Sequence, residues 1–167
     1  MLFDYSRAAA QTAIGAQFAS GIHRGIERAE VGASFPTPFR GRVGVTEWAI
    51  TLDVDFARWH ASGGEGRTHL YDLGVTPQLR VFMGNEAVLQ PFVDVGVGAH
   101  VLDARDLRER RLGTHFQFGE YVGLGIRTDE RRQLALMVRV LHESNLGLAR
   151  SNSGLTAVGL RLEYAFQ

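Results

Sequence analysis

The sequence predicts an all-β fold: an eight-stranded antiparallel transmembrane β-barrel of the outer-membrane kind, formed as one domain by residues 1–167. Three observations predict it. Apolar residues recur mostly with period two, as they do along strands. Turn signals separate the periodic stretches at fairly even spacing, as in a meander. The connections alternate between short turns and longer polar loops, the habit of outer-membrane barrels, where an even strand count leaves both termini at the short-turn end.

Taken in order, weaker alternation over 11–22 and 26–35 supplies the first two strands. Thr46 to Phe56 is the clearest, with Trp48, Ile50, Leu52, Val54 and Phe56 on one face and Glu47, Thr51, Asp53 and Asp55 on the other. The stretch 67–83 gives a fourth. Leu89, Val93, Val95, Val97 and Val101 then oppose Gln90, Asp94, Gly96, Gly98 and His100. Phe116, Phe118, Val122, Leu124 and Ile126 oppose Gln117, Gly119, Gly123, Gly125 and Arg127. Leu134, Leu136, Val138 and Val140 oppose Arg139 and Glu143, and Val158, Leu160, Leu162, Tyr164 and Phe166 oppose Arg161 and Glu163. Segments 36–43, 84–86 and 128–131 are the turns of the periplasmic end, and 61–66, 103–113 and 145–154 the outward loops.

Composition bounds the alternatives. With 45% hydrophobic residues the 167-residue chain is neither disordered nor long enough for two ordinary domains. The absence of Cys excludes disulfides and thiolate metal sites. The 18 basic residues, all Arg, balance 18 acidic ones, so no net positive field holds nucleic acid. A mean hydropathy of −0.07, with no apolar run approaching about 18 residues, excludes a membrane-spanning helix but not a membrane barrel. Alternation does not say which face is inside, so a soluble barrel or sandwich with an oily interior remains the rival fold. The Gly-rich polar faces suit a narrow packed lumen, and the ending Leu160, Leu162, Tyr164, Phe166 resembles the C-terminal signal of bacterial outer-membrane proteins. Met1-Leu2-Phe3-Asp4 lacks the basic and apolar regions of a secretory signal, so the expected localisation, the bacterial outer membrane, implies a signal already removed.

Polar residues on the oily face are the informative exceptions, since they are costly toward lipid. His142 and Ser144 continue the oily parity of Leu134 to Val140 into an outward loop, and Glu120 interrupts the oily row of the preceding strand. A tight turn near residues 130–131 sets Glu120 opposite Val140 or His142. Carboxylate, imidazole and hydroxyl are the set that acyl transfer needs: a base takes the Ser proton and a carboxylate orients the base. The plain alternative is a hydrogen-bonded pair at the rim. Glu143, of lumen parity, belongs with Arg139, Arg161, Glu163, Asp53 and Asp55 in an internal charge network.

His142-Glu143-Ser144-Asn145-Leu146-Gly147-Leu148, followed by Asn152-Ser153-Gly154-Leu155, resembles the signature of the PagL family of outer-membrane lipid A 3-O-deacylases. Gln90 to Gly98 and Phe118 to Gly125 resemble two further strands of that family, and His69 falls where it often has a His. The resemblance covers roughly residues 44–166. It implies an eight-stranded barrel that hydrolyses the ester-linked acyl chain at the 3 position of lipid A in outer-leaflet lipopolysaccharide, with no metal or organic cofactor. Ser144 takes the place of the nucleophile and His142 that of the base; Asn152 and the Gly147 N–H contribute to the oxyanion hole, with Asn145 in support. The family's acidic member falls at Thr156, which has the right parity and is expected opposite Ser144, but carries no charge; Glu120 is the preferred replacement. Arg105, Arg108, Arg110, Arg111 and Arg150 are candidates for lipid A phosphates, or solvated loop charges. A homodimer is left open, and the competing functional readings are a non-enzymatic barrel of the same ancestry, structural or lipid-binding, and a soluble lipocalin-like binder.

Overall fold

The computed structural model describes residues 11–84, 89–128 and 133–166. Its strands are β1 (Ala13–Gly21), β2 (Ile26–Val43), β3 (Thr46–Ala61), β4 (His69–Phe82), β5 (Leu89–Leu102), β6 (Asp106–Leu107), β7 (Arg110–Arg111), β8 (Phe116–Thr128), β9 (Leu134–Ser144) and β10 (Leu155–Ala165). All but the short β6–β7 hairpin close into one barrel in the order β1-β10-β9-β8-β5-β4-β3-β2. Neighbours are antiparallel throughout, and closure comes from β1 on β10, with Phe18 beside Leu160.

Closure settles which face is inside. The apolar rows point out, leaving Phe18, Val31, Leu73, Val97, Leu124 and Leu160 more than half exposed, while Arg28, Asp53, Asp72, Asp94, Arg139 and Arg161 are buried in the lumen. An oily outside around an ionic inside is the arrangement of a membrane-spanning barrel, so the rival soluble fold is excluded. The lumen charges are tolerated because they are paired. Arg161 reaches Asp53 at 3.0 Å and Glu163 at 2.8 Å and also pairs with Glu30. Arg80 bridges Asp94 at 2.9 Å and Glu163 at 2.8 Å, and Arg139 stacks over Tyr121 with its guanidinium carbon 3.8 Å from the ring centre.

Two apolar plugs bound this ionic layer. At the loop end, Trp59, Leu70, Leu102, Leu107, Leu112 and Leu155 form a buried cluster under the outer loops; at the turn end, Phe82, Phe92, Ala135 and Met137 form a smaller one. The residues 103–113 therefore do more than connect strands. They fold the β6–β7 hairpin back over the mouth and drive Leu107 and Leu112 into it.

One expected connection is corrected. Residues 36–43, expected as a turn, lie within β2, whose pairing with β3 shifts between Pro36 and Arg40. A bulge is where a strand tolerates proline, because the missing N–H is not needed by the ladder there. The turn itself follows at Gly44, whose φ of +60° suits glycine. The expected turns at 84–86 and 128–131 fall partly outside the described residues.

Candidate active site

The candidate residues gather at the loop ends of β8, β9 and β10. Along the outer row of β9, Leu134, Leu136, Val138 and Val140 are exposed, His142 is half-buried and Ser144 is buried. Glu120 of β8 lies directly across from His142, one of its two expected partners, and its side chain is exposed. On the other side, β10 sets Thr156 across from His142. This corrects the expectation that Thr156 would face Ser144. β10 begins at Leu155, opposite Glu143, so the loop is not centred on residue 150 and the partner of Thr156 moves by two residues along β9.

The shift has a chemical consequence. Thr156 Oγ1 lies 2.7 Å from His142 Nδ1, a hydrogen bond that fixes the ring from the β10 side. Nε2 is turned toward the loop: a Cβ added to Gly154 would come within 3.5 Å of Nε2 and 3.0 Å of Cε1. Gly154 also has φ of +56°, so both its backbone and its missing side chain make room for the imidazole. Among the described residues no hydrogen bond joins the Ser144 hydroxyl to the ring.

The loop after Ser144 is organised by Asn145, which is fully buried. Its Nδ2 donates to Leu112 O at 2.8 Å and Ser151 O at 2.7 Å, and its own N–H donates to Asn152 Oδ1 at 3.0 Å. The Gly147 N–H, expected to face an oxyanion, instead donates to Asn145 Oδ1 at 2.8 Å, because Gly147, at φ of +85°, closes a turn around that side chain. Asn152 accepts through Oδ1, which leaves its Nδ2 as the donor end. Leu146 is held at φ of +48°, an unusual conformation for a branched side chain, beside the candidate nucleophile.

Sequence reasoning offered Arg110 only as a phosphate contact and Gly154 only as part of the motif, and missed their contact with each other. Arg110 Nε donates to Gly154 O at 3.1 Å, and its Nη2 donates to the same oxygen at 2.8 Å and to Ser153 O, so the β6–β7 hairpin grips the loop that packs on His142. Partial burial lowers the Arg110 pKa from its ordinary value. Arg108 is likewise engaged, donating to Ala61 O at 3.1 Å and Gly64 O at 2.9 Å. Neither is therefore a free phosphate ligand, while Arg105, Arg111 and Arg150 stay exposed. Nothing in the sequence marks Arg110 from its neighbours. His69, on β4, is separated from β9 by β5 and β8 and lies 5.7 Å from the Tyr71 ring.

Below Glu120 and His142 an open apolar groove of about 640 Å³ runs across the outer wall over Val122, Val140, Val97 and Leu79 toward Pro77. It lies where the β4–β5 ladder lapses between Val75 and Gln78, at Pro77, which has no N–H to donate.

The model of the family described as Lipid A 3-O-deacylase (PagL) matches residues 27–165. The chain belongs to the PagL family. The "Lipid A deacylase PagL" of Bordetella bronchiseptica is 29% identical over 117 residues, covering 70% of this chain and 62% of that protein. Its counterpart from Pseudomonas aeruginosa is 23% identical over 108 residues, covering 65% and 60%. The match thus spans about three fifths of the length of these relatives. The crystal structure of the outer membrane enzyme PagL shares the fold, with a TM-score of 0.80 at 17% identity over 92% of this chain and 99% of that one.

Proposed function

We propose that this protein is an outer-membrane esterase that removes the acyl chain ester-linked at the 3 position of lipid A, acting on lipopolysaccharide of the outer leaflet. The observation that carries the reading is the His142 Nδ1 to Thr156 Oγ1 hydrogen bond of 2.7 Å, two residues from Ser144 and at the head of an apolar groove. Thr156 accepts the Nδ1 proton, which leaves the Nε2 lone pair free to act as a base toward Ser144. Ser144 Oγ attacks the ester carbonyl as His142 takes its proton. Collapse of the tetrahedral intermediate expels the sugar 3-oxygen, which receives that proton. Water then attacks the acyl-serine, His142 again relaying the proton, and the fatty acid leaves.

Asn152 Nδ2 is the side-chain donor we assign to the oxyanion, a contact whose loss in comparable sites costs about 10²–10³ in turnover. Glu120 stands on β8 directly across from the ring, without a hydrogen bond to it. The groove takes the acyl chain, and Arg105, Arg111 and Arg150 meet the phosphates from the loop side. Release of 3-hydroxy fatty acid from lipopolysaccharide by the barrel refolded in detergent tests the reading; undiminished release by Ser144→Ala removes Ser144 as nucleophile.

One observation favours a second reading, a non-enzymatic barrel of the same ancestry. The group hydrogen-bonded to His142 Nδ1 is neutral, and loss of the orienting carboxylate in a hydrolytic triad can cost as much as ~10⁴-fold. Thr156→Glu separates the two: a wild type with no release and a variant with strong release identifies a barrel that lacks its acid.

A further inference from the structure

A second cluster lies on the opposite side of β9, inside the lumen, and takes no part in the deacylase chemistry. Asp55 of β3, Asp72 of β4 and His100 of β5 are all buried, and one ligand atom from each lies within 4.8 Å of the others. Glu143 of β9 approaches from across the barrel, 1% exposed, with Oε1 3.8 Å from His100 Nδ1 and 3.7 Å from Arg28 Nε. Neither of its carboxylate oxygens has a hydrogen-bond partner. A buried carboxylate left so is costly unless a further group meets it.

We propose that His100, Asp72, Asp55 and Glu143 form a binding site for a divalent cation of the zinc class, bracing β9 against the β3–β4–β5 wall from inside the lumen. Three features support the donor set. Arg28 Nη2 takes Asp55 Oδ1 and Asp72 Oδ2, each at 3.1 Å, which leaves Asp55 Oδ2 and Asp72 Oδ1 clear of the guanidinium. Asp72 Oδ1 is 3.1 Å from His100 Nδ1, so these two donors already converge. His100 Nε2 lies 3.4 Å from Thr76 Oγ1, and a hydrogen bond on the far nitrogen is how a ligating imidazole is usually oriented.

Shape agrees with the donor set. A Cβ on Gly74 would sit 2.5 Å from both Asp55 Oδ2 and His100 Cε1, so the missing side chain is what lets those donors meet. Three carboxylates and one imidazole gather here around the guanidinium of Arg28, since Glu30 is also held by Arg161. One imidazole with carboxylates suits zinc or a similar first-row ion better than calcium or magnesium, whose ligands are all oxygen.

The test uses the full chain, stripped with EDTA and refolded in detergent with Co²⁺ as a spectroscopic probe and Zn²⁺ as competitor. The expected result is equimolar uptake, with visible Co²⁺ absorption bands that Zn²⁺ abolishes. Uptake is retained when the surface histidines are changed together (His23→Asn, His69→Asn, His115→Asn) and lost in His100→Asn or, should that chain fail to fold, in Asp55→Asn. A folded wild type that takes up no Co²⁺, or loss of uptake in the surface variant, overturns the proposal; so does full uptake by a folded His100→Asn chain. The result does not depend on deacylase activity.

Discussion

His142 and Glu143 are adjacent in the chain and belong to opposite solvents. His142 points outward, half-buried, to a hydroxyl at 2.7 Å and the head of an apolar groove. Glu143 points inward, fully buried among Arg28, His100 and Asp72. The strand pleat alone separates them, and the difference teaches that one strand serves two tasks: its outer row presents the proposed chemistry and its inner row anchors that strand to the rest of the barrel. Changes on the two rows should therefore be separable in their readouts.

The largest expected effect is on the outer row. Ser144→Ala should lower fatty-acid release by about three orders of magnitude or more while leaving heat-modifiable gel mobility unchanged. On the inner side the reverse is expected. Arg161→Met removes one arginine partner from each of Glu30, Asp53 and Glu163 and should reduce unfolding stability by about 3–5 kcal/mol, measured by urea titration, with little change in kcat of the folded fraction.

Smaller changes sharpen the outer site. Thr156→Val removes one hydrogen bond from the ring, worth about 1 kcal/mol, and should lower kcat roughly fivefold to tenfold, whereas Thr156→Glu should raise it. A Glu120→Gln chain that loses as much as Thr156→Val would show that both flanking strands support the imidazole. Gly154→Ala presses on His142 and strains a positive φ, for a loss of about tenfold in kcat. The smallest effect belongs to the exposed arginines: Arg105→Gln with Arg150→Gln should raise KM a few-fold at low ionic strength, an effect that salt erases.

Much of this was legible in the sequence. Period-two alternation identified every barrel strand, since a strand's two faces are written in alternate residues. The polar interruptions at Glu120, His142 and Ser144 flagged the site, because an oily row tolerates few of them. The expected turn at 36–43 proved to be a bulged stretch of β2, since a bulge and a turn share the same residue signals. The Arg110 clamp on Gly154 had no local mark at all, because it joins loops 44 residues apart. The Gly147 N–H followed from motif position, whereas Asn145, buried beneath the loop, determines where that N–H points.

The sequence by itself determined which residues share a face and where the outward row turns polar, because side-chain alternation is a local property of an extended chain. Only the tertiary structure decided which face lies inside, that Thr156 meets His142 instead of Ser144, and that Asp55, Asp72, His100 and Glu143 converge. Register depends on how each loop closes, and convergence across a lumen on how the barrel closes, and neither distance is encoded in the spacing of neighbours along the chain.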